Sequence, residues 1–167
     1  KDSIRVFIEL TSPLNHAKRP ETIEDNLLFT LESGAVQRVN LNACSWDALQ
    51  LYDVHVTKDS TLIVDDMPVI IYGGITIDSA ATLTIPAGTT LYFHADAGIE
   101  IYGRLVSNGE PDRNVVMRSD RIDRMFDYLP YDNVSGMWKG LHFHSSSYEN
   151  VLQYTDIHSS FDGIVAD

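Results

Sequence analysis

Short runs of alternating apolar and polar residues dominate this chain and predict β-structure. Every second residue from Ile4 to Leu10 is aliphatic, which is the period of a half-buried strand. Further on, the apolar runs Asn26 to Leu31 and Val36 to Leu41 flank the turn residues Glu32 to Gly34. This arrangement predicts a β-hairpin.

A junction is expected near Ser45 to Ala48. Ser45 can cap a helical turn, but the next residues, from Leu51 to Val56, favour a strand. Residues 1–47 are therefore predicted to be a β-sandwich-like segment. Three strands bury too little surface to stand alone, so this segment either packs on the later part of the chain or lacks its other half.

The pattern becomes more regular after the glycine pair Gly73 and Gly74, which is expected to break the preceding strand. Very short runs, each with two apolar residues around a polar one, alternate with Gly, Asn, Asp or Pro corners. When the segment is shifted on itself by roughly 22 to 24 residues, apolar positions coincide, as expected for a solenoid. The coinciding pairs are Ile75 with Ile99, Leu83 with Leu105, and Leu141 with Ile164.

Residues 48–167 are accordingly predicted to form a short right-handed parallel β-helix, which makes the whole chain all-β. The corners are expected to use glycines with positive φ. These glycines are Gly74, Gly88, Gly103 and Gly109.

Three stretches of this region, Leu83 to Phe93, Ile99 to Gly109 and Trp138 to Phe143, resemble a known family. They are similar to right-handed β-helix surface and secreted lipoproteins of Bacteroides-type bacteria. The resemblance spans about Val69 to Asp167 and implies a secreted or outer-membrane location, with attachment to the membrane only through a lipid anchor outside this chain. It also implies adhesion or glycan contact. Pectate-lyase-like enzymes share the architecture, but no lyase-type cluster of acidic calcium ligands and a basic residue is found here.

An insertion at residues 119–137 interrupts the repeat. Insertions into solenoids emerge as loops, and loops often carry binding residues, so one hypothesis is a contact with a ligand or partner. The candidate contact residues are Arg121, Arg124, Tyr128 and Tyr131. Trp138 is a further candidate, although packing in the core is the favoured interpretation for it. The insertion is otherwise a solvated loop, or a short helix that packs on the core through Ile122, Met125, Phe126 and Leu129.

Metal sites are not predicted, and no cofactor is expected. His142 and His144 flank Phe143, so on a strand they share the outward face and are weak candidates for a metal site with His94 or His158. A solvent-facing surface is the favoured interpretation of these histidines. Aspartates at the predicted corners invite calcium, but hydrogen bonds to neighbouring backbone amides account for them as well. They are Asp65, Asp66, Asp96, Asp112, Asp120, Asp156 and Asp162.

The formal net charge of -12 disfavours nucleic acid or an anionic membrane as a partner and leaves glycans, cations or cell-surface proteins. Cys44 is the only cysteine, so it forms no intramolecular disulfide and is expected to be a small buried hydrophobe. No catalytic motif is recognised. The sequence thus predicts a non-catalytic module for adhesion, glycan contact or assembly.

Two other functions remain open. One is a polysaccharide lyase or hydrolase whose catalytic coils lie outside this chain, and the other is a structural stalk. The segment from Phe161 to Asp167 stops within a coil, which predicts a fragment or end-to-end self-association.

Overall fold

The computed structural model of this chain describes residues 5–12, 14, 20–64 and 67–167. The protein is all-β, and an antiparallel sheet precedes a parallel β-solenoid, which confirms the predicted fold class. The chain divides after Asp47 into two compact units, Lys1–Asp47 and Ala48–Asp167. Among the described residues, no helix is both long and apolar enough to cross a bilayer.

The first unit contains the predicted hairpin. Strands β1 (Glu21–Thr30) and β2 (Val36–Ser45) pair antiparallel along their full length, and the Gly34 N–H donates to the Leu31 carbonyl across the turn, at 2.8 Å. Cys44 is exposed on β2, contrary to the expectation that it is buried. Most side chains of this two-stranded sheet are open to solvent, so the sheet supplies no interior for a small hydrophobe.

The prediction of a strand from Ile4 to Leu10 is wrong over the residues that the structure describes. Residues 5–12 lie outside the strands and their side chains are exposed, with Phe7 at 86%. Ile4 lies outside the described residues. A period of two records only where apolar side chains fall along one segment, whereas a strand also needs a second backbone to pair with.

The second unit is a parallel β-helix of about 5 turns over residues 49–166, with three faces. Face 1 contains the first parts of β3 (Leu49–Val56) and β5 (Val69–Ile77), with β7 (Thr90–Phe93), β10 (Val115–Ser119) and β15 (Thr155–Ile157). Face 2 contains the second parts of β3 and β5, with β8 (Ile99–Ile101), β13 (Leu141–Phe143) and β16 (Ile164–Ala166). Face 3 contains β4 (Ser60–Thr61), β6 (Thr82–Pro86), β9 (Arg104–Asn108) and β14 (Val151–Gln153). Between β10 and β13 lie β11 (Arg124–Phe126), β12 (Leu129–Pro130) and a 3-10 turn (Tyr131–Asn133).

The register of the β-helix confirms the alignment made from the sequence. Ile75 pairs with Ile99, Leu83 with Leu105, and Leu141 with Ile164. The inward positions stack into continuous apolar ladders, because parallel pairing places equivalent residues of successive turns above one another. Fully buried members of these ladders include Val69, Leu91, Ile77, Ile101 and Leu105.

Glycines line the corner between faces 1 and 2. One glycine precedes each inward residue of the ladder that begins at Ile75, and the backbones at this corner approach closely. A Cβ added to Gly74, which has φ +116°, would lie 2.9 Å from the Gly98 carbonyl oxygen. The strand β5 therefore continues through Gly73 and Gly74 and bends there, so the predicted break is wrong.

The other corner glycines divide into two kinds. Gly88 has the predicted positive φ, at +82°. Gly103 and Gly109 do not have a positive φ, so the prediction that they are needed for that conformation is wrong. Their requirement is space, because a Cβ would lie 2.2 Å from the carbonyl oxygen of Asp78 or of Tyr154, respectively.

Two polar side chains at the edge of face 3 accept hydrogen bonds from backbone amides of a neighbouring turn. Asp59 Oδ1 accepts from the Thr82 N–H at 2.8 Å, and Asn150 Oδ1 accepts from the Leu105 N–H at 2.8 Å. Each oxygen satisfies a backbone donor that would otherwise lack its sheet partner, which is the requirement for a buried amide.

Four of the aspartates predicted for this role serve other purposes. Asp96 and Asp112 adopt positive φ of 67° and 64° at corners, where aspartate is tolerated. Asp120 and Asp156 bind side chains, a histidine and an asparagine respectively. Asp65 and Asp66 lie outside the described residues.

Candidate functional site

The insertion at residues 119–137 is an ordered hairpin. β11 and β12 pair antiparallel across Asp127 and Tyr128, and the 3-10 turn comes directly after them. The alternative of a short helix that packs on the core is wrong, because Met125 and Phe126 lie on a strand and are exposed. Two strands close this short connection through their own backbone hydrogen bonds and leave Met125 and Phe126 facing water, whereas Ile122 and Leu129 are half-buried.

The arginines of the insertion hold the hairpin together. Arg121 forms a two-pronged contact with Asp123, with Nε to Oδ1 and Nη2 to Oδ2 both at 2.8 Å, and its guanidinium lies 3.8 Å from the centre of the Tyr131 ring. The hydrogen bonds from Arg121 lower the pKa of Asp123. Arg124 donates to the Asp127 carbonyl at 2.8 Å. Arg121, Arg124 and Tyr131 thus order the insertion, and the Arg121 guanidinium is engaged by both Asp123 and Tyr131.

Phe126 and Tyr128 form the exposed end of the insertion, and we call them the tip pair. Their rings stack with centroids 5.6 Å apart and planes within 12°. Tyr128 is 80% exposed and Phe126 54% exposed. Of the predicted ligand-contact residues, Tyr128 is therefore the one that presents a large aromatic surface to solvent.

Trp138 belongs to the core and not to a surface site. It is 2% exposed, its ring stacks on Phe93 with centroids 4.2 Å apart, and its Nε1 donates to the His158 carbonyl at 2.7 Å. Both the ring and its polar atom are satisfied inside the protein, as the packing interpretation predicted. Sugar stacking on Trp138 is therefore excluded in this conformation.

The 3-10 turn anchors the insertion to face 1. Asp132 lies between Arg118 and His158, with Oδ1 at 3.1 Å from Arg118 Nε and Oδ2 at 3.4 Å from His158 Nδ1. Arg118 also lies over the Tyr92 ring, 5.7 Å from its centre. These contacts fix the base of the hairpin on the β-helix, so the tip pair is presented on a held support.

An aromatic ladder on face 1 was not predicted from the sequence. Tyr52 stacks on Tyr72 with centroids 4.8 Å apart, and His94 is next along the ladder, 4.9 Å from Tyr72. His94 Nδ1 lies 2.6 Å from Asp120 Oδ2. Each ladder residue comes one position after an aligned inward residue, so the ladder could have been predicted from the register of the coils. Tyr72 lies between the other two rings, whereas Tyr52 at one end of the ladder is 61% exposed.

A second cluster lies on face 2, and we call its four residues, Glu100, His142, His144 and Asp167, the histidine cluster. His142 pairs with Glu100 across β13 and β8, and His144 and Asp167 come directly after the ends of β13 and β16. Glu100 Oε2 lies 3.2 Å from His142 Nδ1 and 2.8 Å from His144 Nε2. Asp167 contacts the opposite ring nitrogens, at 3.1 Å from His142 Nε2 and 3.4 Å from His144 Nδ1.

The histidine cluster is partly shielded. The side chain of His144 is 19% exposed and that of His142 33%, while Leu141 and Phe143 point into the core as predicted. The His144 ring also stacks on Tyr102, with centroids 3.9 Å apart. The hydrogen bond to Asp167 raises the pKa of His142, and the same contact lowers the pKa of Asp167.

The partners of the two histidines differ from those considered from the sequence. His94 and His158 lie on face 1 beside other carboxylates, whereas Glu100 and Asp167 complete the cluster on face 2. The insertion hid this relationship, because Ile99 pairs with Leu141 across it and the interval exceeds the ordinary repeat.

No protein-family model, curated protein or solved structure matches this chain. Function must therefore be inferred from the geometry of the tip pair and of the histidine cluster.

Proposed function

We propose that this chain is a non-catalytic, glycan-binding module of a secreted or cell-surface bacterial protein. The tip pair carries the proposal, because it places two stacked aromatic rings, the outer one 80% exposed, on an ordered hairpin. Aromatic side chains offer large, rigid, apolar ring faces to a ligand, and tyrosine adds a polar hydroxyl group. Sugar rings present matching apolar C–H faces edged by hydroxyl groups.

The order of the hairpin supports binding through the tip pair. The contact between Arg121 and Asp123 and the anchor at Asp132 hold the hairpin before any ligand arrives. A contact surface that is already ordered loses less conformational entropy on binding than a flexible loop. Loops held by a rigid scaffold are the usual place for binding residues.

The charge of the chain supports an uncharged partner. The formal net charge is -12, and Asp123 and Asp127 lie within the hairpin itself. Repulsion disfavours polyanions at such a surface, whereas neutral sugar hydroxyls can donate hydrogen bonds to carboxylates. The bacterial surface location is part of the proposal and rests on the resemblance of Leu83 to Phe93 and of Trp138 to Phe143 to β-helix surface lipoproteins.

A glycan array tests the proposal. The full chain should bind a subset of neutral glycans, and Tyr128→Ala should weaken that binding by about tenfold or more, because each factor of ten corresponds to only about 1.4 kcal/mol of contact energy. Phe126→Ala should weaken binding as well, since it removes the ring on which Tyr128 stacks.

The matched control is Tyr148→Ala, which removes an exposed tyrosine from outside the insertion and should leave glycan binding unchanged. Circular dichroism should confirm that all three variants keep the fold. If the wild-type chain binds no glycan on the array, the proposal is contradicted. Measurable cleavage of a polysaccharide would also contradict it and would favour a lyase or hydrolase.

A further inference from the structure

We propose that the histidine cluster is a binding site for a first-row divalent transition metal ion such as Zn²⁺. In this site Glu100, His142 and His144 are the ligands, and Asp167 orients the two imidazoles. The site lies on face 2, apart from the insertion and its tip pair, so the proposal does not depend on glycan binding.

The spacing of the ligand atoms fits a metal ion. One ligand atom from each of Glu100, His142 and His144 can be chosen so that all three lie within 4.8 Å of one another. The carboxylate oxygen already lies 3.2 Å from His142 Nδ1 and 2.8 Å from His144 Nε2. Ligand atoms that surround zinc tetrahedrally at ~2.0–2.1 Å are separated by about 3.3 Å. Both oxygen–nitrogen distances are within about 0.5 Å of that separation.

Asp167 provides an independent observation that points to a ligand. When Glu100 faces His142 Nδ1 and His144 Nε2, Asp167 faces the other nitrogen of each ring, at 3.1 Å and 3.4 Å. Metal-binding histidines usually donate their second N–H to a carboxylate, which fixes the tautomer and the ring orientation. The cluster therefore contains both the ligand set and the outer carboxylate that such a set requires.

The β-helix keeps these side chains in place. Glu100 and His142 are directly paired on neighbouring strands, and their flanking residues Ile101 and Phe143 are packed in the core. Tyr102 covers one side of the His144 ring. A site built on paired strands with packed neighbours loses little freedom on binding an ion.

The donor set selects the class of metal. Imidazole nitrogen with carboxylate oxygen suits Zn²⁺ and its neighbours in the first transition row, whereas Ca²⁺ and Mg²⁺ prefer six or more oxygen ligands, including water. Both histidines must be unprotonated at the ligating nitrogen, so the bound metal displaces protons and binding weakens as the pH falls. Three protein ligands leave one position for water or for an oxygen of another molecule.

Isothermal titration calorimetry of the tag-free chain with ZnCl₂ tests the site. One Zn²⁺ per chain is expected, and Glu100→Gln, His142→Ala and His144→Ala should each weaken binding by at least about tenfold. Asp167→Asn should weaken it by about 10- to 100-fold, as substitutions of outer carboxylates do. Titration with CoCl₂ should produce the intense visible absorption of tetrahedral Co²⁺, and titration with CaCl₂ should show no specific binding.

His94→Ala is the matched control, because it removes a surface histidine that also contacts a carboxylate, on face 1. It should leave zinc affinity unchanged. If circular dichroism shows that His144→Ala does not fold, His144→Gln is tested in its place. The proposal is overturned if the wild-type chain binds no zinc stoichiometrically, or if binding is insensitive to Glu100→Gln and to both histidine substitutions. Glycan binding in zinc-free buffer reports separately on the tip pair.

Discussion

Trp138 stacks almost flat on Phe93, with ring planes within 10° and centroids 4.2 Å apart, inside the β-helix. The pair joins the strand β7 of one turn to the segment that comes after the insertion in the next. Both side chains are almost completely buried, so this contact fastens the returning chain to the core directly after the hairpin.

Trp138→Ala should lower the free energy of unfolding by about 3–5 kcal/mol, because it removes a large buried ring and leaves a cavity against Phe93. Phe161→Ala, which truncates an aromatic side chain that is 74% exposed, should change it by no more than about 0.5 kcal/mol. Urea unfolding followed by circular dichroism measures both. Equal losses in the two variants would show that the stacked pair does not hold the core together.

The glycine corner between faces 1 and 2 makes a second prediction. Gly74→Ala should destabilise the protein by more than the about 1–2 kcal/mol that a left-handed conformation costs an alanine, because its Cβ would meet the Gly98 carbonyl oxygen. Gly136→Ala is the control, since its φ is also positive but its Cβ would have ordinary contacts. Thermal unfolding should show the larger loss for Gly74→Ala. A similar loss in both variants would mean that close backbone approach at the corner is unimportant.

A third prediction concerns the amide that Asn150 satisfies. Asn150→Ala should cost about 1–3 kcal/mol, because the Leu105 N–H then lacks its acceptor in a partly buried place. Asn150→Asp keeps an oxygen at the same position and should retain most of the stability. Denaturant unfolding of the three proteins decides this, and an alanine variant as stable as the aspartate variant would refute the role.

The contact between Arg121 and Asp123 predicts a pH dependence. Its hydrogen bonds lower the pKa of Asp123 in the folded protein below the ordinary value of 3.8. The stabilisation is therefore fully present above pH 3.8 and is lost as the pH falls through the lowered folded-state pKa. Carboxyl-carbon NMR should give a titration midpoint below 3.8 for Asp123, and Arg121→Gln should return it towards 3.8. An unshifted midpoint in the wild-type chain would rule out the contact.

The β-helix was predictable from sequence because its pairing repeats at a nearly constant interval along the chain. The alignment of Ile75 with Ile99 needed only a recurring apolar pattern, and stacking then dictated the register. The strand expected from Ile4 to Leu10 shows the limit of such patterns, since alternation does not identify a pairing partner.

The histidine cluster was only half predictable. The outward direction of His142 and His144 could be inferred from the alternation around Phe143, but Glu100 joins them only because β13 returns to pair with β8 after the insertion. The length of that insertion carries no information about where the chain returns. The tip pair was also only half predictable: Tyr128 was a predicted contact residue, but the exposure of Phe126 was not foreseen, because an exposed hairpin and a packed helix can share the same apolar residues.

The return of β13 onto β8 spans about 40 residues, nearly twice the usual interval, yet by polymer statistics the longer closure costs only about 0.5 kcal/mol. The support at either end, at Ser119 and at Trp138, belongs to the core and not to the hairpin. The hairpin is thus a natural point for grafting: we expect that peptides of other lengths and sequences can replace residues 124–130 while Asp132 keeps its contacts with the β-helix, and the scaffold then becomes a display framework for new recognition surfaces.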